Sequence, residues 1–169
     1  AFYPKNVTTI LETIDKLGEL IGEKTKAQAM VSDMNARIDA VLEKTANISE
    51  SERPKVYLEL ASYGGTTVGN GTMSNDLIEM AGGVNIFNNG TKNWVASTES
   101  IVEKNPDIIV IEDASTKSND DLKANLGSTV AAVSGDKIYR IDGTTLTTSP
   151  SVVEALENMA KWFHPTLFQ

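Results

Sequence analysis

Glu112 and Asp113 close a run of apolar residues, Ile108 to Ile111, and an acid pair in that position can serve general acid-base chemistry or hold a magnesium ion. The competing reading is a solvated or helix-capping pair. A receiver-type phosphorylation site needs further acids at the end of the first strand and a lysine after a later one. Glu59 lies within the first strand and Lys137 begins the last, so that pattern fails. Gly64, Gly65, Gly69 and Gly71 invite a phosphate reading, but neither G-x-x-x-x-G-K-[ST] nor a compact G-x-G-x-x-G is present. A loop that needs positive φ accounts for them. With no Cys and a single His, His164, the chain has no thiolate chemistry and few routes to a zinc site or a Ser-His triad. His164, between Phe163 and Pro165, reads as a packed or solvated residue. Trp94 follows the polar run Asn88 to Asn93, and it is either a flat apolar contact for a large ligand or a cover over a small core. No residue is assigned a catalytic role, and no metal ligand or resident cofactor is assigned.

The elements that must position these residues follow from periodicity. Asn6 or Thr8 can cap a first helix in which Ile10, Leu11, Ile14, Leu17, Leu20 and Ile21 recur at helical spacing. From Glu23 to about Ala46 there is no Gly or Pro, and Ala27, Met30, Val31, Met34, Ile38, Val41 and Leu42 predict a second helix roughly 35 Å long. Such a helix either crosses a whole sheet or connects two bodies. Beyond Lys55, β-like and helical runs alternate: 56–60, 74–81, 84–87, 97–104 and 107–111, then 120–126, an apolar stretch 130–133, a strand 137–141 and a helix from about Ser149 to Trp162. This alternation predicts an α/β three-layer sandwich with a mostly parallel sheet, and the apolar run 108–111 is its central strand. Ligands of such sheets bind at loops beyond the carboxyl ends of the strands, here Ala61–Met73, Glu112–Asn119 and the threonine-rich Asp142–Pro150.

Composition narrows the partners. In 169 residues, 15 Lys and Arg oppose 23 Asp and Glu, for a net charge of −8, the wrong sign for a nucleic-acid backbone or an anionic lipid surface. No apolar run approaches the roughly 18 residues of a spanning helix, so this segment is expected to make no direct membrane insertion. N-x-[ST] sequons at Asn6, Asn47, Asn70 and Asn89 tilt the reading toward an exported protein.

The order of a long helix, a strand, G-N-G-T-M-S-N-D-L-I-E-M-A-G-G-V-N-I-F (Gly69 to Phe87), Trp94, S-T-E-S-I-V (Ser97 to Val102) and N-P-D-I-I-V-I (Asn105 to Ile111) resembles the metal-chelate class of substrate-binding proteins. These serve ABC importers of vitamin B12, haem and ferric siderophores. The resemblance implies two α/β lobes joined by one long rigid helix, with a chelate captured between them and delivered to an ABC permease. Residues 1–54 then supply a short helix and the connecting helix, and residues 55–169 the C-terminal lobe, with the N-terminal lobe absent. Exposed apolar surface is expected where that lobe docks. The implied location is extracytoplasmic, periplasmic or at the cell surface, with a membrane anchor in the full-length protein.

The resemblance also implies residue roles. Glu99, in Ser-Thr-Glu-Ser-Ile-Val, matches the glutamate that meets arginine pockets on the permease. Taken alone it is a first-turn acid favoured by the helix dipole, and both roles can hold together. Trp94 matches an aromatic lining the cleft, although its spacing to Glu99 is one residue shorter than in the family. Tyr63, Thr72, Met73, Thr144 and Thr145 match the other lining segments. Arg37, Arg53 and Arg140 all lie outside the expected cleft loops, which favours a neutral, bulky ligand such as a corrinoid over a ferric siderophore. Haem asks for an axial Tyr or His, for which Tyr63 is the loop candidate. Two other readings stay open: an α/β enzyme or cofactor-scaffold lobe using Glu112 and Asp113, and a cell-surface interaction domain without transport.

Overall fold

A computed structural model describes residues 6–61, 66–90 and 94–169. Asn6 starts the first helix, α1 (Val7–Leu20): its side chain accepts from Thr9 N at 2.9 Å while Thr9 Oγ1 accepts from Asn6 N at 3.1 Å, a reciprocal cap. Gly22, at φ 77°, turns the chain into α2 (Lys24–Thr45), whose 22 residues span about 33 Å. The two helices approach closely at Gly18, where an added Cβ would lie 2.2 Å from the Cβ of Ala27. Only one stripe of α2 is buried (Ala27, Met34, Ile38, Val41 and Thr45), and its C-terminal part packs against the last helix. Leu17, Leu20, Ile21 and Met30 remain exposed around the α1–α2 turn.

The sheet contains β1 (Lys55–Leu60), β2 (Thr66–Thr67), β3 (Val84–Asn85), β4 (Ile108–Glu112) and β5 (Ile138–Ile141). Its order is β2-β1-β4-β5, with β3 beside the first residues of β1 and β2 beside the last, on the same edge. All pairings are parallel except β1–β2. The intervening helices are α3 (Met73–Met80), α4 (Thr98–Lys104), α5 (Asn119–Leu126), α6 (Ala131–Ser134) and α7 (Val152–Phe163).

Burial alternates as a two-faced sheet requires. Val56, Leu58, Leu60, Ile108 and Val110 join a core with α2, α3 and α7, and Tyr57, Ile109 and Ile111 join a second core with Ile101 of α4 and Leu122 and Leu126 of α5. The three-layer arrangement expected from the sequence is therefore present, and α2 packs against α7 and α3 on one side of it. Three details differ. The strand expected at 84–87 stops at Asn85, because the Asn85 side chain accepts from Phe87 N at 3.0 Å and turns the chain out of the ladder. The apolar stretch 130–133 is a short helix, α6, and the antiparallel β2 was not foreseen.

The amino end of the sheet is held by Asn105-Pro106-Asp107. Asn105 ends α4 in the left-handed region (φ 45°) and its Oδ1 accepts from Ala131 N, the first residue of α6, at 2.8 Å. Asp107 Oδ2 accepts from Lys55 N, the first residue of β1, at 2.8 Å.

A bidentate ion pair fixes α2 to α7: Arg37 Nε and Nη2 donate to the two carboxylate oxygens of Glu157 at 2.9 and 2.8 Å. The Arg37 hydrogen bonds hold the Glu157 carboxyl below the usual carboxylate range. Glu157→Gln should therefore destabilise the lobe by about 0.5–1 kcal/mol at neutral pH. A depressed folded-state pKa contributes stability that is complete above the ordinary glutamate value and is lost as pH falls through the depressed one. Urea unfolding of both proteins, stepped downward from pH 7, should show the difference shrinking over that acidic window.

Candidate functional site

The described residues beyond the carboxyl ends of the parallel strands form one rim: 61 and 66–72 after β1, 86–90 and 94–97 after β3, 113–118 after β4 and 142–151 after β5. A single rung of paired residues runs beneath it. Trp94 bridges Thr67, Thr67 pairs with Glu59, Glu59 with Ile111, and Ile111 with Arg140. Paired residues project to the same side of a sheet, so this rung lies on the α4–α5 face.

Two of the loops are tied to each other. Thr67 N donates to Trp94 O at 2.7 Å, and Asn70 N donates to Gly90 O at 2.8 Å. Buried Asn85 carries the tie inward, its amide donating to Val68 O and to Asn75 Oδ1, each at 2.9 Å. Thr72 caps α3: its hydroxyl accepts from Asn75 N at 3.2 Å and donates to Gly69 O at 2.8 Å. The G-N-G-T-M-S-N-D run is thus a fitted loop-to-helix junction, with Gly71 at φ 75°.

Trp94 is half-buried and stands edge-on to Phe87, with centroids 5.6 Å apart at 83°, and Phe87 stands edge-on to Tyr57 at 6.0 Å. Gly90 makes room for it, since an added Cβ there would fall 2.0 Å from the indole ring. Of the two readings left open for this residue, the ring's packing against the second core supports the cover.

At the foot of this aromatic series a carboxylate is buried. Glu59 is 3% exposed, accepts from the Tyr57 hydroxyl at 2.9 Å, and takes both oxygens to Lys117 Nζ at 2.8 and 2.9 Å. Burial, followed by the charge of Glu59, pushes the Tyr57 phenol pKa strongly upward, so it stays a donor. Arg140 Nη2 donates to the carbonyl of Lys117 and its Nε to Asn119 Oδ1 at 3.0 Å, which fixes the loop that carries the lysine.

The expected site residues divide. Thr72 and Trp94 are half-buried at the rim and Thr144 is exposed there. Met73, 9% exposed, belongs to the core beneath α3. Thr145 is 7% exposed and donates to Asp142 O at 2.7 Å, so its hydroxyl braces the 142–147 loop. Tyr63 lies outside the described residues. Glu99 is solvent-exposed in the first turn of α4 behind the cap Ser97, and hydrogen bonds from its own backbone N–H and from the Ser97 side chain keep its carboxyl below the usual range. Glu112 and Asp113 have unlike surroundings: Glu112 is 6% exposed against Gly143, and Asp113 is open to solvent. His164 accepts or donates at Gly82 O, 3.1 Å away, beside the α3–β3 turn and away from the rim.

Sequence reasoning noted Glu59 but missed its partner. The available signal was the strand K-V-Y-L-E-L itself, in which a charge among residues buried on both faces requires a nearby cation. Among the described residues no group of three or more His, Cys, Asp and Glu is arranged to hold a metal ion, and no helix is long and apolar enough to cross a membrane.

Comparison with known proteins agrees with this geometry. Residues 1–145 match the family model described as periplasmic binding protein. An uncharacterised ABC transporter substrate-binding lipoprotein of Bacillus subtilis, YvrC, is 29% identical over 168 residues, covering 98% of this chain and 53% of that protein. The chain therefore spans about half the length of this relative. Among solved structures, the vitamin B12-binding protein BtuF of Vibrio cholerae superposes with a TM-score of 0.84 at 18% identity, covering 99% of this chain and 65% of that one. The haem-binding protein RhuT of Roseiflexus gives 0.82 at 20% identity, covering 97% and 65%.

The contact between Gly143 and Glu112 is testable. A Cβ at position 143 would lie 1.9 Å from the buried Glu112 Oε1, so Gly143→Ala must displace either the carboxylate or the 142–147 loop. A loss of about 1–3 kcal/mol in denaturant unfolding is expected.

Proposed function

The chain belongs to the periplasmic binding protein family, and from that premise we propose that it is the C-terminal lobe of the substrate-binding component of an ABC importer. The protein captures a metal chelate between this lobe and a second one, outside the cytoplasm, and hands it to the membrane permease without catalysing a reaction. The observation that carries this reading is the rim itself. Half-buried Trp94, held edge-on to Phe87 beside hydroxyl-bearing loops, presents one wall of a cleft whose opposite wall is not in the chain. Thr144 is the ligand-facing hydroxyl, Tyr63 joins it on the strength of the family resemblance, and Thr72, Met73 and Thr145 act as supports, the Thr72 hydroxyl being spent on the α3 cap.

The second lobe accounts for the apolar surface at the α1–α2 turn, where Leu20 is 72% and Ile21 70% exposed. A concavity of about 300 Å³ lined by Ile14, Gly18, Ile21 and Met30 lies at that turn. Glu99 meets the permease. An exposed, ionised carboxylate at a helix start is well placed to meet arginine side chains, and its attraction orients docking.

Calorimetric titration of the two-lobed protein with cobinamide, cobalamin, haem and ferric siderophores should give saturable binding of one chelate class. Trp94→Ala should weaken that binding about 10-fold. Absence of binding across the panel would remove the transport reading.

The docking role has its own readout. In cells carrying the cognate permease, Glu99→Ala should reduce chelate uptake while leaving the solution affinity unchanged, and Glu99→Asp should keep part of the uptake.

A further inference from the structure

The proposed transport reading leaves the charge class of the chelate open, and the Glu59–Lys117 pair bears on it directly. In the four rim loops (61–72, 86–97, 113–118 and 142–151), Lys117 is the sole basic residue among those described. Its ammonium is half-exposed at the rim, yet it contacts both oxygens of a carboxylate that is 3% exposed. The nearby guanidinium, Arg140, is engaged with the Lys117 carbonyl and the Asn119 side chain. Among the described rim residues the positive charge of Lys117 is therefore matched by a negative charge directly beneath it, which weakens its attraction for an anionic ligand.

The other charged side chains among the described rim residues have the opposite sign. Asp113 and Asp142 are both exposed, and the Thr144 backbone N–H, 2.8 Å from Asp142 Oδ1, helps hold the Asp142 carboxyl below its usual range. A chelate carrying several carboxylates or catecholates would meet no uncompensated cation among these residues and would face like charge. Nothing in the arrangement opposes an electroneutral or cationic complex.

We propose that Glu59 is a charge-specificity residue which, by neutralising Lys117 from below, makes this rim select electroneutral or cationic chelates, such as corrinoids and neutral ferric trihydroxamates, over polyanionic ones. Glu59 acts through Lys117 and touches no ligand, so it is a positioning residue. The inference rests on the transport reading and adds the ligand's charge to it.

The test is a pair of variants in the two-lobed protein, titrated at low salt with a neutral corrinoid, a neutral ferric trihydroxamate and a trianionic ferric tricatecholate. The wild type should prefer the neutral complexes. Glu59→Gln keeps the side-chain shape and an acceptor for the Tyr57 hydroxyl while unmasking the Lys117 charge. It should raise affinity for the trianion by about 3- to 10-fold, decreasing with added salt, and leave the neutral complexes within about twofold. The double variant Glu59→Gln, Lys117→Gln should abolish that gain. A role for the pair in folding alone would move all three affinities together and would overturn the inference. So would a wild type that prefers the trianion, or a gain that survives in the double variant. A wild type that binds neither these three nor haem would instead remove the transport reading on which the inference rests, and one that binds only haem, with its two propionates, would overturn the inference.

Discussion

Ile108, Ile109, Val110 and Ile111 are each no more than 1% exposed, so β4 has no polar side to turn toward water. The rest of the lobe follows from that constraint. A strand buried on both faces must carry helices on each, which calls for crossover connections and hence for parallel neighbours on both edges, β1 and β5. Parallel strands in turn place all the connecting loops of one kind at one end. The rim is therefore a by-product of burying four apolar side chains, and so is the concentration of hydroxyls and Trp94 along it.

The same burial explains why one charged pair dominates the site. Glu59 is buried between Ile111 and Thr67 with only the Tyr57 hydroxyl to donate to it from its own strand, and a carboxylate there without a cation would be costly. Lys117 reaches it from 58 residues away, and Arg140 holds the lysine's loop by its backbone. A residue of β1, a loop residue and an arginine of β5, two strands away, thus form one electrostatic unit beneath the rim.

Much of this was legible in the sequence because it depends on local period and composition. The helices α1, α2, α3, α5 and α7 declare themselves through apolar spacing and caps, and β4 through its unbroken apolar run. What escaped depends on contacts distant in sequence. Two residues, Thr66 and Thr67, carry no periodicity, and they form a strand only because β1 offers them an edge and Trp94 a second partner. Met73 and Thr145 were placed by loop membership, and no local signal tells a rim residue that faces a ligand from one that turns inward to brace the loop. The Glu59–Lys117 pair was half visible: the buried acid could be read from K-V-Y-L-E-L, whereas its partner is fixed only by the fold.

Asn105, Pro106 and Asp107 cap α6 and β1 at the end of the sheet opposite the rim. The two ends consequently answer to different pressures. At the amino end, three adjacent residues set the starts of two other elements, so a change there propagates through the frame. At the carboxyl end, the exposed stretches of the loops can vary without disturbing the strands, so long as the ties at Asn85, Lys117 and Gly143 are kept. A domain built this way is an interchangeable mount: the exposed parts of its rim can drift, or be re-engineered, while the tripeptide at the far end keeps the frame in register.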